Sequence, residues 1–142
     1  MIIRKAKLED YVGIQKLNKE EMGYLFSLEN TKKQLEKILL SPKDLVLVAI
    51  VEDKVVGYIH ANDYDCTYFP HVKNIMGLAV SSDYQRRGIG RNLIYSIEKW
   101  ALEDNAEIVR LVSGAERKKA HMFYSSCGYD GSKQQINFKK RI

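Results

Sequence analysis

The sequence predicts an α/β protein: a single mixed, mostly antiparallel β-sheet flanked by about four helices, in one domain over residues 1–142. Three observations lead there. Apolar residues recur at helical spacing in four separate segments, and two apolar runs, 45–51 and 55–62, meet at Glu52-Asp53-Lys54 as a hairpin. Over 72–113 an apolar strand, a glycine turn, a helix and a second strand follow one another. That last order is a βαβ crossover, which sets two strands parallel and favours a ligand site beyond the strand ends.

In chain order, "MIIRKAK" alternates as a first strand, and "LEDYVGIQKLNKEEMG" places Tyr11, Ile14 and Leu17 on one helical face. A second helix, "TKKQLEKILLSP", opens with Thr31 and Gln34 at capping-box spacing, carries Leu35, Ile38 and Leu39 on one stripe and stops at Pro42. Within the hairpin's second run, Gly57 either weakens the strand or lets another backbone come close. "HVKNIMGLAV" is the next strand, interrupted by Gly77 near its end. The longest helical stripe follows, with Ile89, Leu93, Ile94, Ile97, Trp100 and Ala101 in "IGRNLIYSIEKWALEDN". "EIVRLVSG" reads as a buried strand, "ERKKAHMFYSSCGY" as a short helix capped by Gly128, and "KQQINFKK" as a last strand. No internal repeat, linker or low-complexity segment interrupts this order.

Composition narrows the function. Apolar residues make up 45% and charged residues 29% of the chain, which is a globular balance. The formal net charge of +5 favours anionic partners: phosphorylated cofactors, nucleic acid or membrane surfaces. "KKQLEK" and "ERKK" read as solvated helix faces. Cys66 and Cys127 lack CxxC spacing and the first residues carry no signal-peptide core, which points to a reduced, cytoplasmic setting. His60, His71 and His121 form no HExxH or related pattern, so no metal is expected. Nothing approaches the length of a membrane span, so no membrane partner is expected either.

The stretch "DYQRRGIGRNLI" carries the chemistry. Gly88 and Gly90 fall between the strand at 72–80 and the helix from Ile89, with Arg86, Arg87 and Arg91 around them. A helix N-terminus has about four unpaired N–H groups and roughly half a positive charge, and glycines let the backbone itself reach a ligand. The arrangement suits a pyrophosphate. Nothing reads GxxxxGK[ST], and the dinucleotide fingerprint lacks its third glycine, where Leu93 stands.

Gln85-Arg86-Arg87-Gly88-Ile89-Gly90 instead resembles the [RQ]xxGx[GA] acyl-CoA signature of the GNAT superfamily of N-acetyltransferases, matching at every fixed position. The weight of so short a pattern comes from its place between an apolar strand and an amphipathic helix. "AERKKAHMFYSSCGY" is similar to the family's last conserved segment, through Ala120, Tyr124, Gly128 and Tyr129. The resemblance implies a GNAT-like acyl-CoA N-acyltransferase fold and acetyl-CoA as cosubstrate, bound by Leu78, Ala79, Val80, Gln85, Arg86, Arg87, Gly88, Ile89, Gly90, Arg91, Arg117 and Tyr124. Arg117 stands where the family usually has Asn, and a guanidinium can hydrogen-bond a phosphate or a pantetheine carbonyl. In the family, backbone N–H groups like those of "GLAV" hold the pantetheine arm and the acetyl carbonyl; here Gly77 marks a bulge that would splay the strand from 108–113 and free them.

Acetyl transfer to an amine needs a place for the carbonyl oxygen, a neutral amine and a proton for the leaving thiolate. Arg117, His121 and Tyr124 share one polar stripe at helical spacing, beside an apolar stripe of Ala120, Phe123 and Cys127. The resemblance assigns Tyr124 the general-acid role, for which a phenol with a reference pKa near 10 is suited. Where many relatives carry a Glu, this strand has Asn74 and Met76. The base is therefore sought among His121, placed first for its position beside Tyr124, and His71, Asp63, Asp65, Glu52 or a water chain. Cys127 lacks a basic neighbour one turn away, so transfer is expected to be direct. The acceptor is a primary amine of a small molecule or a protein, and the resemblance implies a capacity to pair as a homodimer. Competing readings are a catalytically silent acyl-CoA-binding module and a basic nucleic-acid-binding domain. No aromatic run or basic helix face supports nucleic acid.

Overall fold

Five strands in the order β1-β2-β3-β4-β5 form one sheet in the computed structural model, which describes every residue from Met1 to Ile142. The elements are β1 (Ile2–Lys5), α1 (Tyr11–Met22), α2 (Leu28–Leu39), β2 (Asp44–Val51), β3 (Lys54–Tyr64), β4 (Val72–Val80), α3 (Ile89–Glu103), β5 (Ile108–Leu111) and α4 (Lys118–Ser126). β1 to β4 run antiparallel in sequence order, and β5 joins β4 in parallel through α3. The chain divides into two compact units, Met1–Leu111 and Val112–Ile142.

Two cores flank the sheet of the first unit because side chains alternate along each strand. Toward α1 and α2, Val46, Val48, Tyr58 and Ala79 pack with Ile14, Leu17 and Leu35. On the other face Leu47, Ala49, Ile59 and Ala61 are buried, as are Ile89, Leu93, Ile94, Ile97 and Ala101 of α3. A Cβ on Gly57 would lie 3.2 Å from both Ala79 O and Ile89 Cγ2 and 3.4 Å from Leu93 Cδ1. The helix thus rests directly on the backbone there.

Several local expectations shift. The β2–β3 turn has two residues instead of three: Glu52 and Asp53 take positive φ, 50° and 61°, and Lys54 already pairs with Val51. Such a turn matches the right-handed twist of its strands. α2 starts one turn earlier than the capping-box spacing suggests, because Ser27 Oγ accepts from Asn30 N–H at 3.1 Å. Thr31 is buried, and its hydroxyl donates back to Ser27 O at 2.8 Å. Pro42 does not end the helix, which closes at Leu40.

The larger correction concerns the chain after β4. No strand forms at 133–140, so "KQQINFKK" is irregular and β5 has no neighbour beyond it. β5 is accordingly a four-residue edge strand of exposed to half-buried residues, not a buried one. An alternating pattern can form a strand only where a partner edge receives it.

Candidate active site

The bulge expected near Gly77 is present. His60 faces Gly77 across the β3–β4 ladder while Ala61 faces Ile75, leaving Met76 as the extra residue. On the other side, β4 pairs with β5 only from Val72 to Ile75. From there β4 has a hydrogen-bonding side turned away from β3. Ser81 N–H donates to Val56 O at 2.8 Å. The alternation of an antiparallel ladder therefore commits Ala79 N–H to β3 as well, and turns the N–H groups of Leu78 and Val80 the opposite way. Of the three amides expected there, two face the opening.

Next comes the glycine turn. A short 3-10 turn, Ser82–Tyr84, leads through Gln85 to Arg86 at φ 65° and Gly88 at φ 75°, and Gly88 is the N-cap of α3. The first helical bond is Asn92 N–H to Gly88 O at 3.0 Å. The amides of Gly88, Ile89 and Gly90 precede it at the positive end of a 15-residue helix. A Cβ on Gly88 would meet nothing nearer than Asn92 Nδ2 at 4.0 Å, so the cradle is open. Arg86 and Arg87 are exposed beside it, the latter lying 5.0 Å above the Tyr84 ring. Helix dipole, bare amides and guanidinium groups converge, which is the chemistry that holds a diphosphate.

A cavity of about 220 Å3 opens on the α1/α2 face, lined by Asn18, Phe26, Gln34 and Leu35 of the helices and their loop and by Tyr58 and His60 of β3. Burial pushes the Tyr58 phenol up to about 12, and its hydroxyl donates to Asn18. His60 Nε2 and Asp44 Oδ1 are 2.7 Å apart, with the two side chains 15% and 17% exposed. Burial would raise the Asp44 carboxyl, but the bond to His60 and those to Ser41 and Asn62 hold it below its usual value. Neither His60 nor Asp44 stood among the sequence candidates. The signal was the alternation that puts His60 on the same face as Tyr58, two residues away.

Three sequence candidates for the base, Asp63, Asp65 and His71, are otherwise engaged. Lys73 is fully buried, its ammonium bonded to Asp63 and Asp104 and lying 3.8 Å above the Trp100 ring. His71 Nδ1 meets Asp65 at 2.7 Å and Nε2 meets Asp104 at 3.0 Å. Ligand atoms of Asp63, His71 and Asp104 lie within 4.8 Å of one another, but Lys73 already supplies a positive charge to both carboxylates. Glu52 sits in the β2–β3 turn, about 20 Å along β3 from His60.

In the second unit, Arg117 is the N-cap of α4 and is exposed. His121 Nε2 donates to Gly114 O at 2.8 Å, leaving Nδ1 as its basic nitrogen. Tyr124 is half-buried between the edges of Phe123 and Tyr129, with centroids at 5.4 and 6.4 Å. Burial raises its phenol above the ordinary value, against the opposing pull of Arg117, so it keeps its proton at neutral pH. Cys66 and Cys127 are unpaired.

A family model described as "Acetyltransferase (GNAT) family" matches residues 11–129. An aminoglycoside N(6')-acetyltransferase type 1 of Acinetobacter genomosp. 13 is 21% identical over 145 residues, which span 100% of this chain and 97% of that protein. Among solved structures, an aminoglycoside acetyltransferase from an uncultured soil metagenomic sample, in complex with trehalose, superposes with a TM-score of 0.86 at 25% identity, over 99% of this chain and 95% of that one. AAC(6')-Iy in complex with a bisubstrate analogue, CoA-S-monomethyl-acetylneamine, gives 0.84 at 18% identity, over 99% and 98%.

Proposed function

The chain belongs to the acetyltransferase (GNAT) family, and from that premise we propose that it transfers an acetyl group from acetyl-CoA directly to a primary amine of a small molecule. The observation that carries this reading is the turn at Gly88. It leaves amides at the start of α3 open beside two exposed arginines, next to a strand whose Leu78 and Val80 amides face away from their neighbour. In the proposal Gln85 to Arg91 grip the diphosphate, and Leu78 and Val80 bind the pantetheine arm and the carbonyl oxygen as it gains charge. Arg117 adds a further contact to the cofactor. Acetyl-CoA supplies an activated thioester when bound. Tyr124 gives its proton to the departing thiolate, a role supported by a hydroxyl that burial keeps protonated.

Residues 1–142 act as one domain in this reading, supported by a family match that runs through both compact units. Two unpaired cysteines support a reducing, cytoplasmic setting, and no helix is long and apolar enough to cross a membrane. A small-molecule acceptor is favoured because the similar proteins are aminoglycoside acetyltransferases by name.

Two measurements on the full chain test the proposal. Acetyl-CoA raises the melting temperature, and thiol release follows addition of one or more of neamine, spermidine, phenethylamine and a lysine-containing peptide. No thermal shift with acetyl-CoA removes the reading. A shift without thiol release for any amine leaves a silent acyl-CoA-binding module.

A further inference from the structure

We propose that His60 is the general base that takes the acceptor's proton, with Asp44 as its positioning residue. The inference rests on the acetyl-transfer reading and assigns the base to His60 in place of His121, the first candidate from the sequence. An amine with a reference pKa near 10 arrives mostly as ammonium and must lose a proton before it can attack.

The cavity on the α1/α2 face holds two titratable side chains, Tyr58 and His60. Tyr58 is unsuited, since its phenol is pushed up to about 12 and its hydroxyl is committed to Asn18. From α1 and α2 the polar lining groups are the neutral Asn18, Thr31 and Gln34, and from β2 the one charged group at the imidazole is Asp44. Imidazole is the side chain whose charge change falls between pH 5 and 8. Asp44, held ionised, accepts Nε2–H at 2.7 Å and so fixes the tautomer that leaves the Nδ1 lone pair available. No hydrogen bond within the protein occupies Nδ1.

Position supports the same assignment. His60 stands opposite Gly77, at the register shift where β4 bulges and beside Leu78, whose amide faces the opening. A hydrogen-bonded antiparallel pair brings such residues to about 5.5 Å between Cα atoms. A Cβ on Gly77 would approach Tyr58 Oη at 3.2 Å, on the face where the cavity lies. Its absence leaves room for the Tyr58 hydroxyl beside the β4 backbone. Base and carbonyl site are thus one strand apart, within reach of a proton transfer made directly or through one water.

In the step proposed, His60 Nδ1 accepts a proton from the ammonium, and the freed nitrogen lone pair forms a C–N bond to the thioester carbon. The C–S bond breaks and the thiolate leaves with a proton from the general acid. The nitrogen's second proton, shed as the amide forms, restores that acid through solvent, and His60 returns its own proton to solvent.

The test compares wild type, His60→Gln and Asp44→Asn with the four amines named above, from pH 5.5 to 9.5. Each variant is first checked for an unchanged circular dichroism spectrum and an unchanged thermal shift with acetyl-CoA, which reads the cofactor site independently. His60→Gln is expected to lower kcat at pH 7 by 10²- to 10⁴-fold, with KM for acetyl-CoA unchanged. The rising limb of kcat that an enzyme base produces disappears, and the residual rate climbs only as the amine loses its own proton. Asp44→Asn lowers kcat at least tenfold with the same KM. Retention of both kcat and the limb in folded His60→Gln overturns the inference while the acetyltransferase reading stands. Should His60→Gln not fold, Asp44→Asn decides alone, and full activity in it overturns the assignment. Wild type that binds acetyl-CoA but acetylates none of the amines overturns it too, because no proton is then being removed.

Discussion

Gly88 shows how one residue can serve fold and ligand together. Its φ of 75° lies where a side chain is strained, and its open face is where an anion would sit. Gly88→Ala tests the strain alone and should cost about 1 kcal/mol in urea unfolding, with acetyl-CoA affinity falling only a few-fold. Gly88→Asp adds a negative charge in the cradle, and calorimetry should show at least a tenfold weaker Kd; equal losses in the two variants would argue that charge plays no part. Tyr124→Phe keeps both ring contacts and removes the proton. Its kcat should drop about 10²-fold at constant KM, and a loss confined to KM would make Tyr124 a binding residue.

At the scale of elements, the position of the glycine turn depends on how closely α3 lies against the sheet. Gly57 permits that approach, since a Cβ there meets Ile89 and Leu93 on the first two turns of the helix. Gly57→Val should therefore cost about 1–3 kcal/mol by overpacking, and it should also weaken acetyl-CoA binding although it lies on β3. Unfolding curves and acetyl-CoA titration of the same variant check both effects; lost stability with intact affinity would show that the turn tolerates a displaced helix. The bulge at Met76 is a second such device. It falls where the β4–β5 pairing ends at Ile75, and beyond it the Leu78 and Val80 amides turn away from β3.

Across the whole first unit, the Lys73 network joins β3, β4, the end of α3 and the loop carrying Asp65. Hydrogen bonds that His71 donates to Asp65 and Asp104 raise it above its ordinary value despite burial and Lys73. A raised histidine stabilises fully below its unfolded value of about 6.5, and that contribution is lost as pH climbs through the folded value. Hydrogen bonds from Lys73 and His71 lower Asp104, so its share is present above about 3.8 and fades in acid. The melting temperature of wild type should exceed that of His71→Gln most near pH 5 to 6, with the gap closing toward pH 9. A gap constant over that range would mean that His71 acts by packing alone. Among the features legible from residues alone were the helix stripes, the hairpin, the crossover and the Gly88 turn, because each depends on neighbours within a few positions. Periodicity overreached at 133–140, where alternation met no partner edge, and the capping-box spacing misplaced the start of α2, where Ser27 supplied the cap. The sequence alone thus determined the order of elements as far as α4 and the glycine turn that starts α3, whose physics is local. Only the tertiary structure decided that Lys73, His71 and Asp63 are spent on one another and that His60 meets Asp44. Side chains 10 to 33 positions apart become partners only when strand register and helix docking bring them together.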